Sequence, residues 1–410
     1  MTSKLFKKNR KKILSQMKDD SIFVIFSKKE EETITSQRYN VNRNYYYVSG
    51  VLEFENIVVL TKINSIEKEY IYINPYDEFK AKWVGAPLSI EMVSSLSGID
   101  NINYLSSFEN DIEQLLSIVN NLYLDLNPVN PNGCISEVEA FSNKIKNKFP
   151  LIEVLNGKDL FKNARTVKDS EEIEEIKKAI SITNEGLKAV MSNLGPKYEY
   201  QIESYFDQAI KYFGATGYAF PTIAASGRNA TCLHYGNNNC MAKDGDLILL
   251  DLGASVNMYC SDITRTYPIN GRFSPRQKEL YNIVLKGQEL ILNTAKPGLT
   301  TKDLNNILVE YYAKELKRIG LIKEDKEVFK YYYHGVSHHM GLDCHDLCDY
   351  GPLKPGCVIS NEPGLYIEEE RIGIRIEDDI LITENGAINL SKDIIRTVED
   401  IEKFIEESRK

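Results

Sequence analysis

The run "LILLDLG" at 247–253 is the tightest constraint in the chain. A stretch this apolar reads as a strand bound for the interior, yet Asp251 sits inside it. An ionised carboxylate is costly to bury unless a counter-charge or a metal ion meets it. Whatever this chain folds into must therefore deliver positive charge to Asp251. Other carboxylates deepen the demand. Asp262 follows in "SDITRT", across the strand-turn-strand pattern of "DGDLILLDLGASVNMYCSDITRTYPI", so a hairpin can bring the two aspartates together. Glu362 ends the strand-like "CVISNE" just before Pro363-Gly364. In "ERIGIRIEDDI", isoleucines 372, 374, 376 and 380 alternate. A strand then places Arg375 and Glu377 together on the opposite face. Between the two acidic pairs lies "HGVSHHMGLDCHD" (334–346), which holds four of the five histidines; His234 is the fifth.

Each feature alone has an ordinary reading as a solvated carboxylate, a salt bridge or a hydrogen-bonded histidine. Together, in this order, they suit a pair of divalent metals. Four carboxylates carry −4, which balances two M²⁺ ions. Carboxylates with one imidazole form a hard ligand set that favours Mn²⁺; Zn²⁺, Co²⁺ and Fe²⁺ stay open. Cys344 and Cys348 read as incidental thiols.

A chain of 410 residues predicts two or three domains. Residues 21–160 alternate strand-like runs ("SIFVIF", "ENIVVL", "KEYIYIN", "NLYLDLN") with segments able to form helices near 108–120 and 136–148. This is the pattern of a small α/β domain. Phe6, Arg10, Ile13, Leu14 and Met17 recur at helical spacing, so the basic N-terminus predicts an amphipathic first helix; it has no apolar core of a signal peptide. After the turn-rich "NGKDLFKNARTVKD" comes a long helical pattern with Ile173, Ile176, Ile180 and Leu187 on one face and a capping-box-like Asp169/Glu172 start. The boundary is set at 162/163, giving domains 1–162 and 163–410. That long helix is predicted at 170–192, and others at 200–213, 275–295 and 301–318.

The net charge of −9 argues against nucleic-acid binding. No apolar run approaches the roughly 18 residues of a membrane span. Scattered cysteines, seven in number, point to a reducing compartment, hence the cytoplasm.

"HYGNNN", "LLDLGA", "SDITRT", "HGVSHHMGLDCHD", "NEPGLYI" and "GIRIEDDI" resemble the metallopeptidases of the pita-bread fold, and most of all the aminopeptidase P family. "FKKNRKKILSQM" and "NRNYYYVSGVLEFENIVVL" resemble that family's N-terminal domain, so the likeness spans nearly the whole chain. It implies a smaller N-terminal α/β domain and a C-terminal pita-bread catalytic domain, an α/β (α+β) protein. It also implies that Asp251, Asp262, His338, Glu362 and Glu377 hold two metal ions, with Asp262 and Glu377 bridging. It makes His234 and His345 the histidines that handle substrate and proton transfer, and His334 a wall of the proline pocket. It also implies that Arg375 and Tyr366 lie near the reacting centre. His339 stands where the family commonly has a bulky apolar residue, and is read as packing. Trp83, in "KWVGAPLS", resembles a segment that reaches into a neighbouring subunit's site.

The activity so implied is metal-dependent release of the N-terminal residue from peptides with proline second, through a hydroxide bridging the two metals, with Glu362 taking its proton. The implied partners are proline-containing peptides and further copies of the chain, as a dimer or tetramer. X–Pro is a tertiary amide without an N–H, so a dedicated pocket is needed. The rivals are a prolidase acting on Xaa-Pro dipeptides, a methionine aminopeptidase or creatinase-like enzyme, and a non-catalytic peptide-binding protein of the same fold.

Overall fold

The structure, a computed structural model, describes residues 1–28, 41–126 and 135–409, and falls into two units, Met1–Arg165 and Thr166–Lys410. In the N-terminal unit six strands form one mixed sheet: β1 (Ser21–Phe26), β2 (Ile57–Ile63), β3 (Ile66–Ile73), β4 (Asn101–Tyr104), β5 (Asn121–Leu124) and β6 (Glu153–Asn156), in the order β4-β3-β2-β1-β5-β6. The four strand-like runs of the sequence supply β1, β2, β3 and β5; Asn127, at the end of the last run, lies outside the described residues. Every residue of β1 is buried, as a central strand covered on both faces requires. Ile22, Val24 and Phe26 join Phe108 and Phe141 from two helices, while Phe23 turns the other way onto Phe161.

The first helix, Ser3–Leu14, buries Phe6, Arg10, Ile13 and Leu14, the face that the spacing predicts. Arg10 is fully buried. Its Nη1 donates to Val48 O and Ser97 O, both at 2.8 Å, and its Nε to Glu69 at 2.8 Å. Val48 and Ser97 lie in the last turns of helices Arg43–Ser49 and Ile90–Ser97, each stopped by a left-handed glycine, Gly50 and Gly98. One guanidinium thus satisfies carbonyls at two helix C-termini, where unpaired acceptors and the negative dipole end gather.

In the C-terminal unit the long helices are Ser170–Ser192, Glu199–Tyr212, Pro275–Thr294 and Thr301–Arg318. Three of them start on capping boxes, Asp169/Glu172, Ser274/Gln277 and Thr300/Asp303. The strands are β7 (Gly217–Tyr218), β8 (Ile223–Ser226), β9 (Leu247–Leu252), β10 (Ala254–Val256), β11 (Tyr259–Cys260), β12 (Ile263–Pro268), β13 (Val358–Asn361), β14 (Gly364–Ile367), β15 (Ile372–Arg375), β16 (Asp378–Thr383) and β17 (Gly386–Asn389).

These strands build two long antiparallel hairpins. In the first, β9 pairs with β12 and β10 with β11 in one continuous register, closed at Val256↔Tyr259. Its two-residue turn, Asn257-Met258, has both residues at positive φ (47° and 68°), the geometry that fits strand twist. In the second, β13 pairs with β16 and β14 with β15, again in one register. The sequence predicts an unbroken strand through residues 372–380. The structure instead ends β15 at Arg375 and resumes β16 at Asp378. Pro363 lies opposite this gap and has no N–H for the ladder.

Replacing Arg10 by Ala leaves the Val48 and Ser97 carbonyls and Glu69 short of a partner. It is expected to destabilise the protein by about 3 kcal/mol, read as a fall in the urea midpoint at unchanged slope.

Candidate active site

The two hairpin registers place the four carboxylates. Asp251 on β9 lies across from Thr264. Continued by one residue, the register sets Asp262 opposite Gly253, two positions from Asp251 and therefore on the same face. Gly253 is obligatory there: a Cβ would meet Ser261 O at 2.0 Å. In the second hairpin Asn361 pairs with Asp378 and Gly364 with Arg375, so Glu362 stands opposite Glu377. The hairpins are joined where Glu377 N donates to Thr264 O (3.0 Å) and Arg375 N to Thr266 Oγ1 (3.2 Å).

The histidine stretch runs alongside β13. Met340 N donates to Val358 O, Ser360 N to His338 O, and Glu362 N to Val336 O. This sets His338 Nε2 3.4 Å from Asp262 Oδ2 and 3.5 Å from Glu362 Oε1. Ligand atoms of Asp262, His338 and Glu377 all lie within 4.8 Å of one another. All five expected ligands line one cavity of about 600 Å³, together with His234, His334, His345, Arg375, Phe220, Leu233 and Cys344.

The electrostatics are those of a site short of positive charge. Burial raises Asp251 to about 6 against the opposing charge of Arg375, whose Nη2 sits 2.6 Å from Asp251 Oδ2. Burial likewise raises Glu362 to about 7, with His338 and Arg375 pulling it down and Asp262 and Asp251 pushing it up. Glu377 is driven well above the carboxylate range by burial and by Asp262 and Glu362. Burial pulls His338 down, but its hydrogen bond to Asp262 and the charge of Glu362 prevail and lift it to about 9. One oxygen of Asp251, Oδ1, is buried with no hydrogen-bond partner. Such groups are costly alone and are satisfied by a cation. His338 has the matching tautomer: Nδ1 faces the His339 carbonyl at 3.2 Å, which leaves the Nε2 lone pair aimed at the carboxylates. The residues present therefore fit a divalent metal.

Around these ligands runs a chain of polar contacts. Arg375 Nη1 donates to Tyr366 OH at 2.9 Å, and Tyr366 OH lies 2.8 Å from His334 Nε2. His334 Nδ1 lies 2.7 Å from Gly335 O. Burial and Arg375 hold His334 down at about 3, so it is neutral. Every donor finds an acceptor only if Nδ1–H donates to Gly335 and Nε2 accepts from Tyr366. Arg375 Nε also donates to Thr264 Oγ1 (3.0 Å), which donates to Glu377 Oε2 (2.6 Å). The His345 ring stacks on His338 at 3.9 Å, and burial lowers its pKa.

His234 is exposed at the cavity. His339 points away from it, buried, with Nδ1 unpartnered; burial and Lys168 lower it to about 4. Trp83 lies in the other unit, on helix Glu78–Val84, 76% exposed. Two residues escape the sequence reading. Cys344 is no incidental thiol: it lines the cavity, and its Sγ donates to Asp262 Oδ2 at 2.7 Å. Thr264 joins Arg375 to Glu377. The "ITRTYP" alternation, which turns Thr264 and Thr266 to one face, was the available signal for it.

A pentad of four carboxylates and a histidine, buried or half-buried in a cavity of this size, defines a metal-dependent hydrolase. The model of metallopeptidase family M24 matches residues 174–384, and that of the aminopeptidase P N-terminal domain matches residues 6–123. The chain is 31% identical to the Xaa-Pro aminopeptidase of Escherichia coli over 99% of its own length and 98% of that protein's. It is 30% identical to human Xaa-Pro aminopeptidase 3, over 89% of this chain and 76% of that protein. Among solved structures, zinc-substituted E. coli aminopeptidase P with bound product superposes with a TM-score of 0.91 at 28% identity, covering 100% of this chain and 99% of that one. A candidate aminopeptidase P from Bacillus anthracis superposes at 0.96 with 42% identity, over 100% and 99% of the two chains. The chain thus belongs to the Xaa-Pro aminopeptidases of metallopeptidase family M24, the family its motifs resemble.

Metal ligands bind deprotonated. In the metal-free protein Asp251, Glu362 and His338 hold protons up to about pH 6, 7 and 9. Metal uptake must displace those protons, so affinity is expected to rise with pH between 6 and 9. Isothermal titration with Mn²⁺ in buffers of different ionisation enthalpy checks this through the protons released.

Proposed function

We propose that this protein is a metal-dependent exopeptidase that removes the N-terminal residue from peptides with proline at the second position, using two divalent ions, most naturally Mn²⁺. The observation that carries the reading is the convergence of Asp251, Asp262, His338, Glu362 and Glu377 in one cavity. The relatives are named for this activity, and four carboxylates balance two dications. Those five side chains would hold the ions. We place the catalytic unit at 163–410 and the N-terminal unit at 1–162.

When bound, the metal supplies a water of lowered pKa and a Lewis acid for the scissile carbonyl. The remaining tasks fall to the chain. Glu362, deprotonated once metal is held, accepts the proton of the nucleophile. His345, held against His338 by stacking, donates to the oxyanion that develops on the carbonyl. His234, which lines the same cavity, handles protons at the scissile bond. Arg375, buried and bonded to Asp251, Thr264 and Tyr366, fixes the ligand face and balances its charge. Neutral His334, held in its tautomer by the buried Tyr366, forms a wall against which the rigid ring of proline packs. Trp83, exposed on its helix, is assigned to contact with a neighbouring copy in a homo-oligomer, a dimer or tetramer. The scattered cysteines support a cytoplasmic setting.

After EDTA treatment and restoration of Mn²⁺, the protein is expected to release alanine from Ala-Pro-Ala and to leave the dipeptide Ala-Pro intact. Cleavage of the dipeptide alone would make it a prolidase. His338→Ala is expected to lower kcat on the tripeptide by at least about a thousandfold with loss of bound metal; full activity in that variant would remove His338 from the ligand set.

A further inference from the structure

Glu199 opens the helix Glu199–Tyr212 and is fully buried. Its carboxylate accepts five hydrogen bonds, none from a cation. Oε1 accepts from Ser226 N and Ser226 Oγ, each at 2.7 Å, and from Asn229 Nδ2 at 2.9 Å. Oε2 accepts from Tyr235 OH at 2.8 Å and Cys240 N at 2.9 Å. Ser226 ends β8, the strand that pairs Ile223 with Asp251. Tyr235 and Cys240 lie at the two ends of the turn that follows His234. One buried charge therefore ties the strand beside a metal ligand to the loop that carries His234.

Apolar packing also holds the loop, with Leu233 and Tyr235 set against Ile223, Ala225 and Leu249. His234 makes no side-chain hydrogen bond among the described residues, so its place depends on the backbone around it. Leu233, His234 and Gly236 all line the cavity. The second anchor is Asn238, in a left-handed turn (φ 45°), whose Oδ1 accepts from Ala224 N (3.0 Å) and whose Nδ2 donates to Thr222 O (2.8 Å). Both anchors fix the loop to β8.

We infer that Glu199 is a positioning residue for the peptidase reaction, acting through Tyr235 and Cys240 to hold His234 at the scissile bond. This rests on the reading of His234 as a residue that handles substrate. Charge-assisted bonds of this kind are about twice as strong as neutral ones. Glu199→Gln keeps the size but turns an N–H₂ toward groups that are themselves donors.

The test is a double-mutant cycle on the Mn²⁺-loaded enzyme, with kcat/KM for Ala-Pro-Ala and metal content as readouts. Glu199→Gln is expected to lower kcat/KM about tenfold or more, and Tyr235→Phe, which removes one bond and spares the fold, about threefold. Metal content should stay at the wild-type level. In the His234→Ala background neither substitution should lower kcat/KM further. Losses that multiply with that of His234→Ala, or wild-type kcat/KM in both Glu199→Gln and Tyr235→Phe, would overturn the inference and leave the role of His234 standing. Wild-type kcat/KM in His234→Ala itself would instead remove the reading of His234 on which the inference rests.

Discussion

Four carboxylates converge on one cavity of the C-terminal unit, and the rest of that unit answers the resulting repulsion. Asp251, Asp262, Glu362 and Glu377 come from two hairpins that meet along β12. Among the described residues, Arg375 is the one guanidinium that reaches them, through Asp251, with His338 beside Asp262 and Glu362. The deficit appears as raised pKa values at Asp251, Glu362 and Glu377, and as an Asp251 oxygen with no partner. A site that binds dications has to be unstable in this way without them: ligands already neutralised by the protein would hold metal weakly.

Much of this was legible beforehand. The boundaries of the long helices follow from apolar spacing and from Ser, Thr and Asp caps, which are local signals. The four carboxylates stand out as charge placed where an apolar strand should have none, whereas the choice of His338 among four clustered histidines came from the family resemblance. What the sequence hid was register and second contacts. Alternation placed Arg375 and Glu377 on one face, which holds, but not the break at 376–377, because the missing donor, Pro363, lies on the partner strand. Cys344 was passed over because a thiol carries no periodic signature; only the fold brings its sulfur against Asp262. Arg10 fitted a helical face by spacing, yet nothing local announced that it would satisfy the ends of two distant helices. Trp83 could not be placed by pattern, since one exposed aromatic obeys no period.

The second contacts divide the labour of the site. Arg375 reads as one residue but has three separate duties: Nη2 on Asp251, Nε on Thr264 and through it Glu377, and Nη1 on Tyr366 and through it His334. A lysine has neither the planar fork nor the reach to do all three. The same guanidinium therefore sets both the ligand geometry and the tautomer of the histidine proposed to face proline. Glu199 is proposed to do comparable work for the loop that carries His234, with neutral donors in place of charge.

The joint between the hairpins carries one more consequence. Protein bonds cross near the carboxylates at a few points, such as Glu377 N to Thr264 O and Arg375 N to Thr266 Oγ1. Ions held by all four carboxylates would add a second seam across the same line. Bound metal would then favour the folded chain by mass action, in proportion to the logarithm of its free concentration. The cellular metal supply would set how long the protein lasts as well as how fast it works.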